Sequence, residues 1–189
     1  MEDGGLRARK KLATREALSR AALRLALERG LENVRVEDIA AAAGVSPRTY
    51  NNYFSSREEA ICALRSERAD RIAAALRARP AGEPLRDAVI TAMREYVGDQ
   101  EPDKAAIQMM LSAPSLRGEF YKGVVALEAP LAEAIADRIG ADPACDLRPR
   151  VLAAAVSGAV RVATHFWLRP GSTEPFSVLL GAALDELLT

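Results

Sequence analysis

The sequence predicts an all-α protein. Alanine and leucine dominate its composition, aromatic residues make up only 5%, and β-branched residues other than valine are sparse, so summed propensity favours helix along most of the chain. Apolar residues amount to 49% of the 189 residues, which is enough to bury a substantial core. Apolar stripes at three- and four-residue intervals, separated by glycine and proline, predict about nine helices.

Two apolar stripes open the chain, each with the periodicity of an amphipathic helix. The first predicts a helix over about 6–29 that Gly30 ends, and the second predicts two helical turns that Gly44 ends. The residues of the stripes are Leu18, Ala22, Leu25 and Ala26 in the first, and Val36, Ile39, Ala40 and Ala43 in the second.

A third helix must begin at Pro47 and run to about Tyr53. Ser46 can accept hydrogen bonds from free backbone amides as an N-cap, and Pro47 takes the first helical position, where no amide is needed. Only a tight turn containing small residues separates this helix from the second one. The pair therefore predicts a helix-turn-helix.

The third helix carries polar groups suited to nucleic acid. Tyr50 and Phe54 are expected to face the first two helices. The outward positions hold short or medium side chains that can contact base edges and phosphates, namely Arg48, Thr49, Asn51, Asn52 and Tyr53. A polar face on a surface helix is usually only solvated, but the use of Arg, Thr, Asn and Tyr instead of Glu and Lys favours a reading surface.

Charge is distributed unevenly although the whole chain is neutral. Residues 1–57 contain eleven Lys/Arg and seven Asp/Glu, a net charge of +4, and the rest of the chain has a net charge of −4. A basic arm near the N-terminus is expected to add phosphate contacts; the alternative is a solvated, frayed terminus. The arm contains Arg7, Arg9, Lys10, Lys11 and Arg15 and no acidic residue between them.

A capping box opens the remainder of the chain, with Ser56 as the cap and Glu59 three residues later. It predicts a long helix to about Arg79, followed by five further helices separated by turns that contain proline or glycine. These helices are expected at about 84–99, 103–112, 115–139, 148–168 and 174–188. We therefore predict a nucleic-acid-binding domain over 1–57 and a helical body over 58–189.

The sequence offers few residues for metal, redox or catalytic chemistry. Cys62 and Cys145 lie far apart without metal-ligand spacing, so neither a disulfide framework nor a zinc site is supported. With one histidine, no nucleophile motif and no glycine-rich phosphate loop, neither an enzyme nor a cofactor is expected. No apolar run approaches the roughly 20 residues that span a bilayer, and no signal peptide is recognised. We therefore expect a cytoplasmic protein without a membrane partner.

The first part of the chain, about 65 residues, resembles the tetracycline-repressor (TetR) family of bacterial regulators. The resemblance rests on LALERG at the end of the first helix and on the string VEDIAAAAGVSPRTYNNYFSSREEAI. The later helices agree with the family in number and length. The resemblance implies a sequence-specific DNA-binding transcriptional regulator, and specifically a repressor. The matching residues are Ile39-Ala40, Ala43-Gly44-Val45-Ser46, Thr49, Tyr53-Phe54 and the basic residue that opens the fourth helix.

Three positions depart from the family pattern. Arg35 stands where a Thr or Ser usually caps the second helix, and a lost cap costs about 1 kcal/mol; acidic residues in the first turn offset part of this through the helix dipole. Asn51 stands where the family often has an aromatic phosphate contact. Arg57 replaces the lysine usual at the start of the fourth helix, keeps its charge and gains a fork suited to phosphate.

The expected contacts with double-stranded DNA combine the arm, the turn and the third helix. The resemblance also implies a homodimer through the helices at 148–168 and 174–188, since two copies roughly 34 to 36 Å apart reach successive major grooves of a palindromic operator. Burial of both helices inside a monomer is the alternative. The DNA contacts expected are Arg7, Arg9, Lys10, Lys11, Arg35, Ser46, Pro47, Arg48, Thr49, Asn51, Asn52, Tyr53 and Arg57.

The body is expected to bind an unidentified small-molecule effector, apolar or amphipathic, that releases the operator. Methionine and aromatic side chains suit an adaptable apolar cavity with a polar handle, although each candidate is alternatively ordinary core. The candidates are Tyr96, Met109, Met110, Phe120, Tyr121, Val124, Leu127, His165 and Trp167. Two other functions stay open: a regulator that binds only DNA and itself, and a small helical enzyme.

Overall fold

The computed structural model describes residues 3–97, 102–142 and 144–187, leaving aside the side chains of 3–6, 8, 65–67, 96 and 97. These residues form ten α-helices, a short 3-10 turn at Leu31–Asn33 and no strand, so the all-α class is confirmed. No helix in the described ranges has both the length and the apolar character needed to cross a membrane. The helices are α1 (Asp3–Arg29), α2 (Val36–Ala42), α3 (Pro47–Asn51), α4 (Arg57–Ala78), α5 (Leu85–Val97), α6 (Lys104–Ser112), α7 (Pro114–Val125), α8 (Glu128–Ile139), α9 (Leu147–Trp167) and α10 (Phe176–Leu187).

The segment expected as one helix over 115–139 consists of two helices, α7 and α8. Pro130 explains the break, because it has no N–H to donate to the carbonyl of Ala126, four residues earlier. The chain turns at Ala126 and Leu127, and regular bonding resumes where the Leu131 N–H donates to Leu127 O at 3.2 Å. The other predicted helices begin and end within a few residues of the observed bounds.

Glycine shapes the turns that place α2 and α3. Gly30 follows α1 with φ of 80°, and Gly44 follows α2 with φ of 69°, a left-handed conformation that glycine adopts without steric cost. Beyond Gly44, the Val45 N–H donates to Ala40 O at 2.9 Å, which is the longer bond of a Schellman motif. Residues 43–46 are the whole connection between α2 and α3, which contact each other. The predicted helix-turn-helix is thereby confirmed.

The first compact unit combines Met1–Leu64 with Ala105–Phe120. In it α1 contacts α2, and the second turn of α4, residues 60–63, is buried, with the Cys62 thiol 3.9 Å from Leu116 O. Packing thus divides the chain within α4 and adds α6 and much of α7 to the N-terminal helices. The boundary expected at residue 57 separates two functions, DNA binding and the helical body, and not two packing units. Its most buried side chains include Leu18, Ile39, Tyr50, Phe54, Ile61, Leu116 and Phe120.

The second compact unit combines Arg65–Lys104 with Tyr121–Thr189. In it α9 contacts α8 and α10, and α5 also contacts both of these helices. Arg138 of α8 donates to the carbonyls of Pro80 and Glu83, which fastens the turn between α4 and α5. The most buried side chains of this unit include Leu76, Met93, Leu131, Ile135, Leu180 and Leu184.

Candidate nucleic-acid interface

The start of α3 is capped by a side chain, as predicted. Ser46 Oγ accepts the Thr49 N–H at 3.1 Å, and Pro47 occupies the first turn of the helix. The hydroxyls of Ser46 and Thr49 are also hydrogen-bonded to each other at 2.9 Å. Because each hydroxyl has one donor and two acceptor sites, this pair retains capacity for a further hydrogen bond at the N-terminal end of α3.

The inner side of α3 is held by two aromatic rings. Tyr50 and Phe54 are buried, and their ring centroids lie 5.7 Å apart. Tyr50 Oη donates to Ser56 O at 2.8 Å. Burial, together with the negative charges of Glu59 and Glu58, raises the pKa of Tyr50 to about 12. The phenol is therefore protonated at neutral pH and available as a hydrogen-bond donor.

The outer side of α3 presents the polar residues that were predicted to read DNA. Arg48, Asn51 and Asn52 are exposed, whereas Thr49 and Tyr53 are half-buried. An asparagine amide offers donors and an acceptor on one planar group, which matches the N6 and N7 atoms of adenine, and an arginine fork matches O6 and N7 of guanine. Ser46 and Pro47 are also exposed, so the turn and the helix form one continuous polar surface.

Arg35 precedes α2 and is exposed. Its side chain makes no cap hydrogen bond, as expected for a group without an acceptor. Asp38 supplies the reciprocal contact instead, because its Oδ2 accepts the Arg35 N–H at 3.2 Å. The lost cap is thus partly replaced, and the Arg35 guanidinium lies beside the helix-turn-helix on the surface.

Arg57 is the predicted phosphate contact whose side chain is engaged elsewhere. Its Nη1 donates to Leu31 O at 3.2 Å and to Val34 O at 2.9 Å, and its Nε donates to Glu58 at 2.8 Å. These bonds fix the segment that leads into α2. A phosphate contact would compete with them, so the structure favours a supporting role for Arg57, and its expected DNA contact stays a prediction.

The start of α4 has a modified capping box. Ser56 Oγ accepts the Glu59 N–H at 3.0 Å, which confirms the predicted cap. The carboxylate of Glu59, however, accepts from the N–H and hydroxyl of Ser55, at 2.9 and 2.8 Å, and not from Ser56. Burial alone would raise the pKa of Glu59. The hydrogen bonds from Ser55 and the charge of Arg15 lower it by more, so the net shift of the pKa is downward.

The basic arm is the first part of α1 and not an irregular tail. Among the described side chains of α1, those before Thr14 are exposed and Leu18 is the first that is buried, so residues 3–13 extend beyond the core by about 15 Å at 1.5 Å per residue. The predicted phosphate contacts on this extension are all exposed: Arg7, Arg9, Lys10 and Lys11.

The candidate effector residues do not fall in one unit. Met109, Met110 and Phe120 belong to the first unit, and the candidates from Tyr121 onward belong to the second. Tyr96 lies outside the described side chains. Five of the candidates are core residues that sequence alone could not distinguish from ligand contacts: Met110, Phe120, Val124, Leu127 and Trp167.

Three of the second unit's candidates have specific polar or ring contacts. Tyr121 Oη lies 3.1 Å from Nε2 of His165, and this histidine is exposed. Trp167 packs edge-on to Phe176, with ring centroids 5.6 Å apart, and Lys104 Nζ lies 5.4 Å above the indole. Trp167 thus packs where α9 meets α10. Across the described residues, no group of three or more His, Cys, Asp or Glu is arranged to hold a metal ion.

Two family models match the chain. The model of bacterial regulatory proteins of the tetR family matches residues 18–61, which include α2, the turn and α3. The model of the MftR C-terminal domain matches residues 79–189, more than half of the chain.

Relatives match over nearly the whole length. The chain is 36% identical to the HTH-type transcriptional regulator TcmR of Streptomyces glaucescens, over 97% of this chain and 86% of that protein. It is 26% identical to MftR of Mycobacterium tuberculosis, which is named for the regulation of mycofactocin biosynthesis, over 94% and 90% of the two chains. The solved structure of Thermus thermophilus FadR, a TetR-family repressor in complex with lauroyl-CoA, has a TM-score of 0.58 at 22% identity and covers 92% of this chain and 93% of that one.

Proposed function

Because the chain belongs to the TetR family of bacterial transcriptional regulators, we propose that it is a dimeric repressor that reads a palindromic operator and leaves it when a small ligand binds. The surface of α3 carries the proposal. This helix is capped at Ser46, anchored by two buried rings and exposed at Arg48, Asn51 and Asn52. A surface so placed suits the major groove, where each base pair presents a distinct set of donors and acceptors.

Different residues of this surface have different roles in the proposal. Asn51, Asn52 and Arg48 contact base edges, because their exposed amide and guanidinium groups can make paired hydrogen bonds. The hydroxyls of Ser46 and Thr49 contact a phosphate or a base at the N-terminal end of α3. Arg35 contacts the phosphate backbone of the DNA, where a contact adds affinity without sequence preference. Pro47 and Tyr53 contribute shape to the same surface.

The extension of α1 continues this surface. Arg7, Lys11 and Arg15 are spaced by four residues and so lie along one face of the helix. Arg15 Nη1 donates to the carbonyl of Tyr53 at the end of α3, which identifies this as the face of α1 directed towards α3. Lys10 adjoins the same stripe, and Arg9 lies on the other side. We therefore place Arg7, Lys10 and Lys11 against phosphates that flank the bases read by α3.

The dimer is proposed to form through α9 and α10, with a second copy of the chain as the partner. One face of α9 exposes Leu147 at 74%, Val151 at 52% and Val162 at 44%, at spacings that align them along the helix. Gly158 lies on the same face, and a Cβ built there would meet nothing within 4 Å. An apolar stripe with a small residue at its centre suits close helix pairing, and Val178 of α10 is exposed as well.

For the effector we propose an amphipathic molecule whose polar part is recognised by Tyr121 and His165. These two side chains already share a hydrogen bond and offer a phenol and an imidazole, while Val124 and Leu127 are buried in the same unit. The T. thermophilus FadR structure contains lauroyl-CoA, a ligand of this chemical class, which makes that compound a suitable first probe.

The test is selection of random duplex DNA by the purified protein at near-physiological salt, followed by sequencing of the retained duplexes. The proposal predicts a palindrome whose half-sites lie about one helical turn apart. Retention of duplexes without a common motif would contradict sequence-specific reading. As a control, Gln108→Ala removes an exposed amide outside α3 and should select the same sequence as the wild-type protein.

The effector is tested on the selected operator. Lauroyl-CoA is titrated against the preformed complex of wild type, Tyr121→Phe and His165→Ala. Release of wild type with weakened release of both variants supports the proposed polar handle. Retention of the complex at every concentration of lauroyl-CoA, and in a panel of other amphipathic ligands, supports the alternative of a regulator without an effector.

A further inference from the structure

Arg15 of α1 joins three elements of the first unit. Its Nη1 donates to Tyr53 O at 2.7 Å, and its Nη2 lies 3.7 Å from Oε1 of Glu59 on α4. The guanidinium carbon lies 4.3 Å from the centre of the Phe54 ring. One side chain thus contacts the chain just after α3, the ring that anchors it and the start of α4.

This contact lies at the end of α3 that has least support of its own. The helix spans only Pro47–Asn51, and a helix this short does not hold its position without tertiary contacts. Its N-terminal end is held by the Ser46 cap. The Tyr53 carbonyl follows its C-terminal end, where helical carbonyls have no donor within the helix, and Arg15 supplies a charged donor there.

Glu59 extends the same arrangement to the segment between α3 and α4. Its carboxylate receives the Ser55 N–H and hydroxyl on one side and faces Arg15 on the other. Arg15 therefore holds the Tyr53 carbonyl and Glu59 together, and Glu59 holds Ser55. We name this set of contacts among Arg15, Tyr53, Ser55 and Glu59 the α3 clasp.

We infer that Arg15 is a positioning residue for DNA reading: through the α3 clasp it fixes the end of α3 so that Asn51 and Asn52 meet the bases in one register. The inference rests on the proposed function. Paired hydrogen bonds to a base tolerate little displacement, so loss of the clasp lowers affinity for the operator although no DNA contact is removed.

A direct phosphate contact by Arg15 is the competing role, and salt dependence separates the two. A phosphate contact contributes about 0.9 to the slope of log affinity against log salt, acts on all sequences and is largely retained by lysine. A positioning residue changes the ratio of operator to random-DNA affinity and leaves the slope unchanged. Lysine at position 15 does not restore the affinity ratio, because a single ammonium group cannot reproduce the guanidinium fork that spans Tyr53 O and Glu59.

The experiment measures affinity for the selected operator and for random duplex DNA at several salt concentrations. The variants are Arg15→Lys, Arg15→Gln and Glu59→Gln, with Arg20→Gln as the matched control, because Arg20 is an exposed residue of α1 about half a turn away from Lys11. For Arg15→Lys and Arg15→Gln we expect about a tenfold loss for the operator, comparable to one lost base contact. Random-DNA affinity and the slope for Arg15→Lys should match those of wild type.

A second measurement follows the end of α3 without DNA. The N–H groups of Tyr53 and Phe54 both donate to Tyr50 O, and their hydrogen exchange should quicken in Arg15→Gln while exchange in the second unit stays unchanged. Full operator affinity in Arg15→Lys, with a slope lowered by about one unit in Arg15→Gln, would overturn the inference in favour of a phosphate contact. If wild type binds operator and random DNA with equal affinity, the proposed function fails. The clasp is tested separately by hydrogen exchange, and unchanged exchange at Tyr53 and Phe54 in Arg15→Gln would refute it.

Discussion

Tyr50 Oη donates a hydrogen bond of 2.8 Å to the carbonyl of Ser56, the residue whose side chain caps α4. The buried side of α3 is thus tied to the first residue before α4 while the opposite side stays exposed. The short helix derives its fixed orientation from such contacts with its neighbours, since five residues cannot maintain a helix alone. The predictions below test these contacts and the surfaces that they support.

The Tyr50 phenol makes the free energy of unfolding depend on pH in the alkaline range. The pKa of tyrosine is about 10 in the unfolded chain and about 12 in the folded one. Its contribution is therefore complete below about pH 10 and is lost as the pH rises from about 10 through 12. We expect the free energy of unfolding of wild type to fall by about 2 kcal/mol relative to that of Tyr50→Phe over this range.

Urea unfolding of both proteins between about pH 9 and 11.5 measures this difference. Other groups that titrate in this range are common to the two proteins, so their effects cancel. At neutral pH, Tyr50→Phe should be less stable by about 1 kcal/mol because it leaves the Ser56 carbonyl without this donor. A constant difference between the two proteins at every pH would contradict the raised pKa.

Arg57 is predicted to stabilise the first unit and not to bind phosphate. Arg57→Ala leaves the carbonyls of Leu31 and Val34 without their charged donor, so we expect a loss of about 2 kcal/mol in the free energy of unfolding. Arg24→Ala is the control, because it removes only an exposed ion pair with Glu28, worth at most about 0.5 kcal/mol. A slope of log affinity against log salt that falls by about one in Arg57→Ala, without loss of stability, would instead indicate a phosphate contact.

The basic extension of α1 is predicted to contribute to affinity without contributing to specificity. Replacement of both Lys10 and Lys11 by glutamine should weaken binding to operator and random DNA alike and reduce the slope by about 0.9 for each lysine. Filter binding or fluorescence anisotropy at several salt concentrations measures the slope, with Arg20→Gln as the control on the same helix. An unchanged slope would place the extension away from the DNA.

The apolar face of α9 is predicted to form the dimer. Val151→Glu and Val162→Glu place a charge on that face, where pairing would desolvate it, and should shift sedimentation from dimer to monomer. Val125→Glu is the matched control, since Val125 is 56% exposed on α7, outside the two helices. Equal shifts in all three variants, or in none, would argue against α9 as the interface.

The sequence was sufficient to predict what depends on local chemistry. The Ser46 cap, the stop at Gly44 and the buried positions of Tyr50 and Phe54 follow from residues within one or two turns, and all of them are observed. The break before Pro130 had an equally local cause, the missing N–H of proline, and the sequence interpretation overlooked it.

Contacts between distant segments were not predictable in the same way. Arg15 and Tyr53 are 38 residues apart, and no periodicity indicates that a guanidinium on α1 will donate to a carbonyl after α3. The inclusion of 105–120 in the first unit is likewise a consequence of packing. Methionine and aromatic residues in the body indicated an apolar interior, but the same residue types fill ordinary cores, so they did not define a ligand site.

The central claim is that the exposed amides of α3 read bases, and one affinity ratio tests it most directly. Affinity for the selected operator is divided by affinity for a scrambled duplex, at fixed salt, for wild type, Asn51→Ala, Asn52→Ala and the control Gln108→Ala. We predict that the ratio falls about tenfold or more in at least one of the two α3 variants, as for a lost base contact, and is unchanged in the control. A ratio that stays at the wild-type value in both α3 variants would contradict the claim.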